Sequence, residues 1–478
     1  MDFPYLKPGP GDDAPLYWQL YRRYRDAIAS GKLRSGDRVP SVRSLASELN
    51  LARGTVELAY QMLTSEGYFS PRGAAGTFVS PRLEHLGEPS PLKAPTTPPP
   101  MPADGQMAVG APRPFQLGLP ALDAFPRKTW ARLAARHLRA LDLPSMAYPE
   151  SAGYGPLRHA IATYLGISRG IACTADQVFV TAGYRAGLDL VCRTLLKPGD
   201  EGWFEDPGYL FARQFLRAAG MRLTPIPVDD EGLDVSYGIQ HAANARFAIV
   251  TPTHQSPTGA TLSLPRRLAL LDWAGQQNAW IVEDDYDSEF RYHGRPVPAL
   301  KSLDHNSRVL YTGTFSKVLF PGLRLAYLVV PVAHIDRFRE TASLLGGAGP
   351  ISVQATVADF MEHGHFARHL RKMRALYAER RGFLVDALGH VFGDDLFVQP
   401  QAGGIHALAY LHSSLAPLGD APLANAAHSL GLAVHALSLW QLHGSPRNGL
   451  LMGFTNIADP NTALDLCQRL LAAVGTRR

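Results

Sequence analysis

Three short stretches in the second half of the chain hold residues able to do chemistry. Glu283-Asp284-Asp285-Tyr286-Asp287 is an acid cluster, Thr312-Gly313-Thr314-Phe315-Ser316-Lys317 ends on a lone lysine, and Pro321-Gly322-Leu323-Arg324 ends on an arginine. Each adjoins an apolar run short enough for a buried strand: 279–282 before the acids, 309–310 before the lysine stretch, 325–331 after the arginine. Acids and a lysine just past strand ends sit where open α/β sheets hold ligands. A lysine there can form a Schiff base with an aldehyde, and a nearby carboxylate can keep a pyridine nitrogen protonated. Together these are the requirements of pyridoxal 5′-phosphate (PLP). The local sequence does not choose among Asp284, Asp285 and Asp287 for the carboxylate.

The elements that must position these groups are legible upstream. Val178-Phe179-Val180 reads as a strand running into Thr181-Ala182-Gly183-Tyr184-Arg185, with a helix from Ala186. A helix N-terminus after a glycine offers free N–H groups to a phosphate, and Thr314, Ser316 and Arg324 are near enough in sequence to add contacts. Glu205-Asp206-Pro207-Gly208-Tyr209 places an aromatic ring after a rigid turn. Ala248-Ile249-Val250 is a further buried strand, followed by Thr251-Pro252-Thr253-His254-Gln255-Ser256-Pro257-Thr258-Gly259. Strands alternating with amphipathic helices predict an α/β domain with a mainly parallel sheet over 115–478.

The first part of the chain has a different grammar. Leu16, Leu20, Tyr24, Ala27 and Ile28 recur at helical spacing, and the helix stops at Ser30-Gly31. A turn-rich connector over 33–40 leads to Ser41, which caps a helix with Val42, Leu45, Ala46 and Leu49 as its stripe. Asn50-Leu51-Ala52 is a tight turn before a second helix bearing Val56, Ala59, Tyr60 and Leu63. Two short helices so joined predict a helix-turn-helix, and 68–79, glycine-rich at 72–76, predicts a hairpin that would be its wing. Arg43 lies early on the first helix of the motif, and Arg53-Gly54-Thr55 opens the second, where they can meet phosphates and base edges in a major groove. Across 14–80, nine Lys/Arg stand against five Asp/Glu, a local excess suited to double-stranded DNA.

Between the two parts, residues 81–114 contain ten prolines and few large apolar side chains, the composition of an extended spacer. The bulk numbers exclude several classes. With 478 residues, 46% apolar and 19% charged, the chain is that of a globular protein with two or three folding units. Its net charge of +5 does not by itself establish a nucleic-acid partner. Cys173, Cys192 and Cys467 form no CxxC pair, which predicts a reduced, cytoplasmic setting without a metal site. No signal-peptide pattern opens the chain, and no run approaches the roughly 20 apolar residues of a membrane helix.

The 14–80 unit resembles the winged-helix domain of GntR-type regulators in Pro40-Ser41-Val42-Arg43, Arg53-Gly54-Thr55-Val56, Glu66-Gly67-Tyr68 and Gly76-Thr77-Phe78-Val79. The large domain resembles a fold-type I aminotransferase in Glu205-Asp206-Pro207-Gly208-Tyr209, His254-Gln255-Ser256-Pro257-Thr258-Gly259, the acid cluster, and Thr314-Phe315-Ser316-Lys317 with Arg324. Their fusion is similar to the MocR/GabR family of regulators. That resemblance implies that Lys317 holds PLP as an internal aldimine, Asp284 pairs with the pyridine nitrogen, Tyr286 lies by the phenolic oxygen and Tyr209 stacks on the ring. It also implies that Gly183, Tyr184, Thr314, Ser316 and Arg324 hold the phosphate, with Tyr148 of the partner subunit of a homodimer reaching it. Arg43, Arg53, Gly54, Thr55 and the wing glycines Gly73 and Gly76 are the implied DNA contacts; Glu57 stands where some relatives have a base.

Two departures bear on function. Ser256 occupies the position where aminotransferases place an asparagine before Pro-Thr-Gly. The late-strand arginine that clamps a substrate α-carboxylate has no counterpart: the run is Leu450-Leu451-Met452-Gly453-Phe454, with Arg447 a few residues upstream. Losing a bidentate clamp costs several kcal/mol, each charge-assisted hydrogen bond being worth about 1.5–3 kcal/mol. The expectation is a transcription regulator sensing PLP or an amine or amino-acid effector, with poor turnover of α-amino acids. A working aminotransferase with a DNA-binding appendage is the rival. His406 is a candidate to line the site, and Arg213, His435 and His443 are further candidates to meet an effector's acid group, each with an ordinary structural role as its alternative.

Overall fold

A computed structural model describes residues 14–80, 110–292, 294, 297–443 and 447–475. The chain divides into two compact units, Met1–Met101 and Pro102–Arg478. The proline-rich stretch 81–109 lies outside the described residues; Pro114, at the end of the expected spacer, accepts a hydrogen bond from the Ala433 N–H (2.8 Å).

In the smaller unit, α1 (Leu16–Ala29), α2 (Val42–Leu49) and α3 (Arg53–Ser65) pack with a three-stranded antiparallel sheet, β1 (Arg38–Val39), β2 (Phe69–Pro71) and β3 (Thr77–Val79). Ser41 caps α2 as expected, its hydroxyl accepting from the Ser44 N–H at 3.1 Å. Asn50 adopts the left-handed conformation (φ 53°), which turns the chain sharply into α3. Leu20, Tyr24, Leu45, Val56, Leu63 and Phe69 form the core. Two details differ from the sequence expectation. Leu16 is 47% exposed, because the buried face of α1 runs through Gln19, Leu20, Tyr21 and Tyr24 instead. The expected connector 33–40 contains a strand, β1, since Arg38 and Val39 find open backbone partners on β3.

The larger unit is built on an eight-stranded sheet: β4 (Val178–Thr181), β5 (Glu201–Asp206), β6 (Arg222–Asp229), β7 (Gly232–Leu233), β8 (Phe247–Val250), β9 (Trp280–Asp285), β10 (Val309–Thr314) and β11 (Ala326–Val329). Their spatial order is β4-β11-β10-β9-β8-β5-β6-β7. Pairing is parallel from β10 through β6, and antiparallel where β11 joins β10 and β4 and where β7 joins β6. Helices cover this sheet, which is why β4, β8 and β9 are buried throughout, and why β8, most of β4 and the first half of β9 read as apolar runs. A second, antiparallel sheet follows: β12 (Leu396–Val398), β13 (His406–Leu411), β14 (His435–Ala436) and β15 (Gly449–Gly453), in the order β12-β13-β15-β14. Because β11 runs against its neighbours, its start lies at the same sheet edge as the ends of β4, β9 and β10. The residues past all four ends therefore converge.

Candidate functional site

That convergence forms a cleft of about 410 Å³. Past the end of β4, Gly183 and Tyr184 enter it at the N-terminus of the helix Tyr184–Leu195, which starts two residues earlier than the sequence predicts. Tyr209 follows β5; Asp284 and Tyr286 come from the end of β9; Thr314, Ser316 and Lys317 follow β10; Arg324 precedes β11. Nine of the ten residues expected around a PLP ring thus line one cavity. The tenth, Tyr148, is fully exposed on this single chain and does not line it.

The structure separates the three aspartates. Asp285 forms an ion pair with Arg169 (2.6 Å) and accepts from the Tyr311 hydroxyl (2.6 Å). Asp287 faces His254 Nδ1 at 3.0 Å, and the Tyr286 hydroxyl sits 3.1 Å from that same nitrogen. Asp284 alone of the three lines the cleft. Alternation along β9 points neighbours to opposite faces, so only one of Asp284 and Asp285 can face the cavity. Burial pushes the Asp284 carboxyl up to about 7, with Asp285 and Glu205 adding to the rise. A cationic ring nitrogen at this carboxylate would reverse that effect, because an opposite charge favours the ionised form.

Lys317 donates from Nζ to the Gly118 carbonyl (2.9 Å). Desolvation holds its amine down at about 8, against the upward pull of Asp287 and Asp284. An amine so shifted is far more often unprotonated at neutral pH than an exposed lysine, as nucleophilic attack on an aldehyde requires. Gly118 has φ +74°, and a Cβ there would overlap the Lys317 amine, so glycine is needed at this contact. Arg324 stands in the left-handed region (φ 50°) with its guanidinium against Gly183 and directed to the Ala182 carbonyl (3.5 Å). An arginine held unusually beside a helix N-terminus suits a phosphate. The Tyr184 hydroxyl is buried in the cleft beside Asp284, and its interaction with that carboxyl works against the rise that burial causes there. This donor set fits PLP: amine, buried acid, aromatic rings and anion cradle share one cavity.

The further candidates divide. His406 lines the cleft, its Nε2 3.0 Å from the Pro257 carbonyl, and burial holds it neutral with a pKa down at about 4. His435 also lines it. Arg213 is structural, donating to the Leu439 (2.6 Å) and Gln441 (2.7 Å) carbonyls. His443 is exposed beside Asp206, and Arg447 lies over the Tyr410 ring, so neither enters the cavity. The late strand β15 is buried and gives the cleft only Leu451. Sequence reading missed Arg113 and Gly118 as cleft residues, since no local motif marks them and their approach depends on tertiary packing; Arg185 closes the quoted Thr181–Arg185 turn but was given no role.

On the smaller unit, Arg43, Arg53 and Gly54 are exposed and Thr55 half-buried at the start of α2 and α3. Gly73 and Gly76 (φ 56° and 100°) shape the turn between β2 and β3.

Comparison with known proteins now decides the family. The model of class I and II aminotransferases matches residues 123–433, and that of the bacterial regulatory proteins of the gntR family matches 16–79. The probable rhizopine catabolism regulatory protein MocR of Rhizobium meliloti is 37% identical over 458 residues, covering 94% of this chain and 92% of that protein. The chain belongs to the MocR/GabR-type family of regulators. Another member, the pyridoxine biosynthesis transcriptional regulator PdxR of Corynebacterium glutamicum, is 34% identical over 93% of both proteins. Among solved structures, the α-aminoadipate aminotransferase LysN of Thermus thermophilus, complexed with N-(5′-phosphopyridoxyl)-L-leucine, matches 76% of this chain and 92% of its own, with TM-score 0.68 and 28% identity. A kynurenine aminotransferase from Pyrococcus horikoshii matches 75% of this chain and 90% of its own, also at TM-score 0.68, with 26% identity. The MocR-type chain thus joins a GntR helix-turn-helix domain to an aminotransferase fold. Among the described residues, no helix is long and apolar enough to cross a membrane.

Proposed function

We propose that this MocR-type chain is a DNA-binding transcription regulator whose 115–478 unit binds PLP at Lys317 and senses PLP itself or an amine that reacts with it. The observation that carries this reading is one cavity in which Lys317 and Asp284 are intact while β15 supplies no arginine. Such a site can bind and react, yet lacks the late-strand clamp that makes α-amino acid turnover efficient. When bound, the cofactor supplies an aldehyde that condenses with amines. The protein's part is positional: Gly118 orients the Lys317 amine, Asp284 holds the ring nitrogen's proton, Tyr209 covers the ring face, and Arg324 with the Gly183–Tyr184 turn binds the phosphate.

The 14–80 unit reads DNA, with Arg43, Arg53, Gly54 and Thr55 toward the major groove and the Gly73–Gly76 turn as the wing. Leu143, Met146, Tyr148 and Leu344 are 80%, 64%, 102% and 83% exposed. Their exposure supports a homodimer in which Tyr148 of the partner subunit completes the phosphate site; two reader units then require paired half-sites.

The test is a spectral titration with PLP beside a gel shift on the DNA upstream of the gene. Wild type is expected to gain the absorbance band of lysine-bound cofactor, and Lys317→Ala to lose it while keeping basal DNA binding. A band that survives the substitution refutes the lysine assignment. Rapid amino transfer from ordinary amino acids at low concentration would favour the aminotransferase reading instead.

A further inference from the structure

Behind the cleft, three side chains meet at one atom. His254 Nδ1 lies 3.0 and 3.2 Å from the two carboxylate oxygens of Asp287 and 3.1 Å from the Tyr286 hydroxyl. Asp287 is 1% exposed and His254 9%, so the contact is made away from water. The imidazole is held in place. Gly404 has φ +96°, and a Cβ there would lie 2.3 Å from His254 Cε1, so the ring packs against bare backbone. The segment carrying Gly404 is pinned in turn: Gly404 N–H donates to the Phe290 carbonyl (2.9 Å), and Phe290 N–H to that of Asp287 (2.9 Å).

One ring nitrogen therefore faces two oxygens, and the chemistry of those oxygens sets its proton. A carboxylate only accepts, so Nδ1 is the nitrogen that carries hydrogen. The opposite nitrogen, Nε2, is buried with no hydrogen-bond partner among the described residues. A bare acceptor is tolerated there better than a stranded N–H, which favours the same tautomer. The Tyr286 hydroxyl then meets Nδ1–H through its oxygen and cannot donate to it. Ser256, at the position where aminotransferases place an asparagine, also favours the ionised form of that oxygen, as a donor does. With two donors behind its oxygen, the phenolic proton is directed at the cleft that Tyr286 lines.

Resting on the PLP reading above, we infer that Asp287 and His254 are positioning residues for Tyr286. Asp287 fixes the imidazole proton on Nδ1, and that N–H keeps the Tyr286 hydroxyl turned into the cleft as a hydrogen-bond donor to an anionic oxygen. In this site that oxygen is the phenolic one of the cofactor. The amide donor absent at Ser256 is thereby replaced by a tyrosine aimed from behind. The charged and titratable groups around it are Asp284, Asp287, Glu205 and Lys317, with His406 beyond His254, its Nε2 donating to the Pro257 carbonyl (3.0 Å).

The test is a double-substitution cycle on the full chain loaded with PLP. The absorbance band of lysine-bound cofactor gives the pH at which the lysine-linked nitrogen loses its proton, measured in wild type, Asp287→Asn, Tyr286→Phe and the double variant. Losing a donor on the anionic oxygen raises that pH, whereas losing the Asp287 charge lowers it, because the carboxylate favours a protonated nitrogen at Lys317. The cycle separates the two effects, since in Y286F the Asp287 substitution acts through charge alone. The shift caused by D287N with Tyr286 in place should lie about one pH unit or more above its shift in Y286F, the worth of a hydrogen bond to a charged group. Equal shifts in the two backgrounds, or a lower one with Tyr286 in place, overturn the assignment. A second measurement needs no cofactor: nitrogen NMR of isotope-labelled histidine in PLP-free wild type, with the His254 signal identified by its loss in His254→Gln. A proton on Nδ1 supports the arrangement, and a proton on Nε2 alone overturns it. If wild type gains no cofactor band, the Lys317 reading fails, and this signal still judges His254 by itself.

Discussion

At the scale of single residues, the site turns on where charge is buried. Asp284 is 7% exposed, and its carboxyl is raised from the ordinary range to about 7. A raised folded-state value means that the ionised form is disfavoured by folding: the penalty is absent below about pH 4, grows as pH rises through 7, and is complete above it. Asp284→Asn should therefore stabilise the cofactor-free protein at pH 8 more than at pH 5, by at most about 4 kcal/mol. The same variant should bind PLP more weakly, since the ring nitrogen loses its counter-charge. Thermal unfolding at the two pH values checks the first outcome and PLP titration the second; equal stabilisation at both pH values would contradict the burial argument. The acid cluster was legible in sequence, but its division of labour was not. Choosing among Asp284, Asp285 and Asp287 needed Arg169, Tyr311 and His254, which come from other elements.

At the scale of elements, the helix-turn-helix was readable because its periodicity, caps and turn are local. The strand β1 was not, because a two-residue strand exists only through its partner β3. Two glycines expected at the DNA surface give opposite predictions. Gly54 lies in α3, and a Cβ added there would meet only open space. Gly54→Ala should keep or raise the stability of the smaller unit by up to about 1 kcal/mol while weakening DNA binding, if the backbone approaches a phosphate closely. Gly76 has φ +100°, and a Cβ there would lie 2.9 Å from Arg38 Nε. Gly76→Ala should destabilise this unit by about 1–3 kcal/mol and distort the wing. Chemical unfolding followed by circular dichroism, with gel shifts on the folded fraction, separates the two outcomes. Undiminished DNA affinity in G54A would remove that residue from the interface.

At the scale of the whole molecule, each of the two units has a core of its own. The smaller is built around Leu20, Tyr24, Val56 and Phe69, and the larger has several apolar clusters against its sheets. Separate cores predict two calorimetric transitions. Saturating PLP should raise only the transition of the larger unit, because a ligand stabilises the unit whose native state binds it. Lys317→Ala should diminish that rise. A single cooperative transition, or a rise in both, would contradict independent folding.

Whatever depends on near neighbours along the chain could be read from the sequence. That covers the capped helices of the reader, the buried strands, the lysine and acid cluster at strand ends, and the apolar run in place of a clamp. Family and fold followed from these, and the proposed PLP chemistry starts from them. Whatever depends on distant segments meeting waited for the folded chain. Packing selected Asp284, set Gly118 against Lys317, placed Arg324 on Gly183, and brought His254 to Asp287 and Tyr286. The physical reason is range: caps, turns and periodicity act over a few residues. A cleft at converging strand ends is assembled from residues more than 300 positions apart, which only packing brings together.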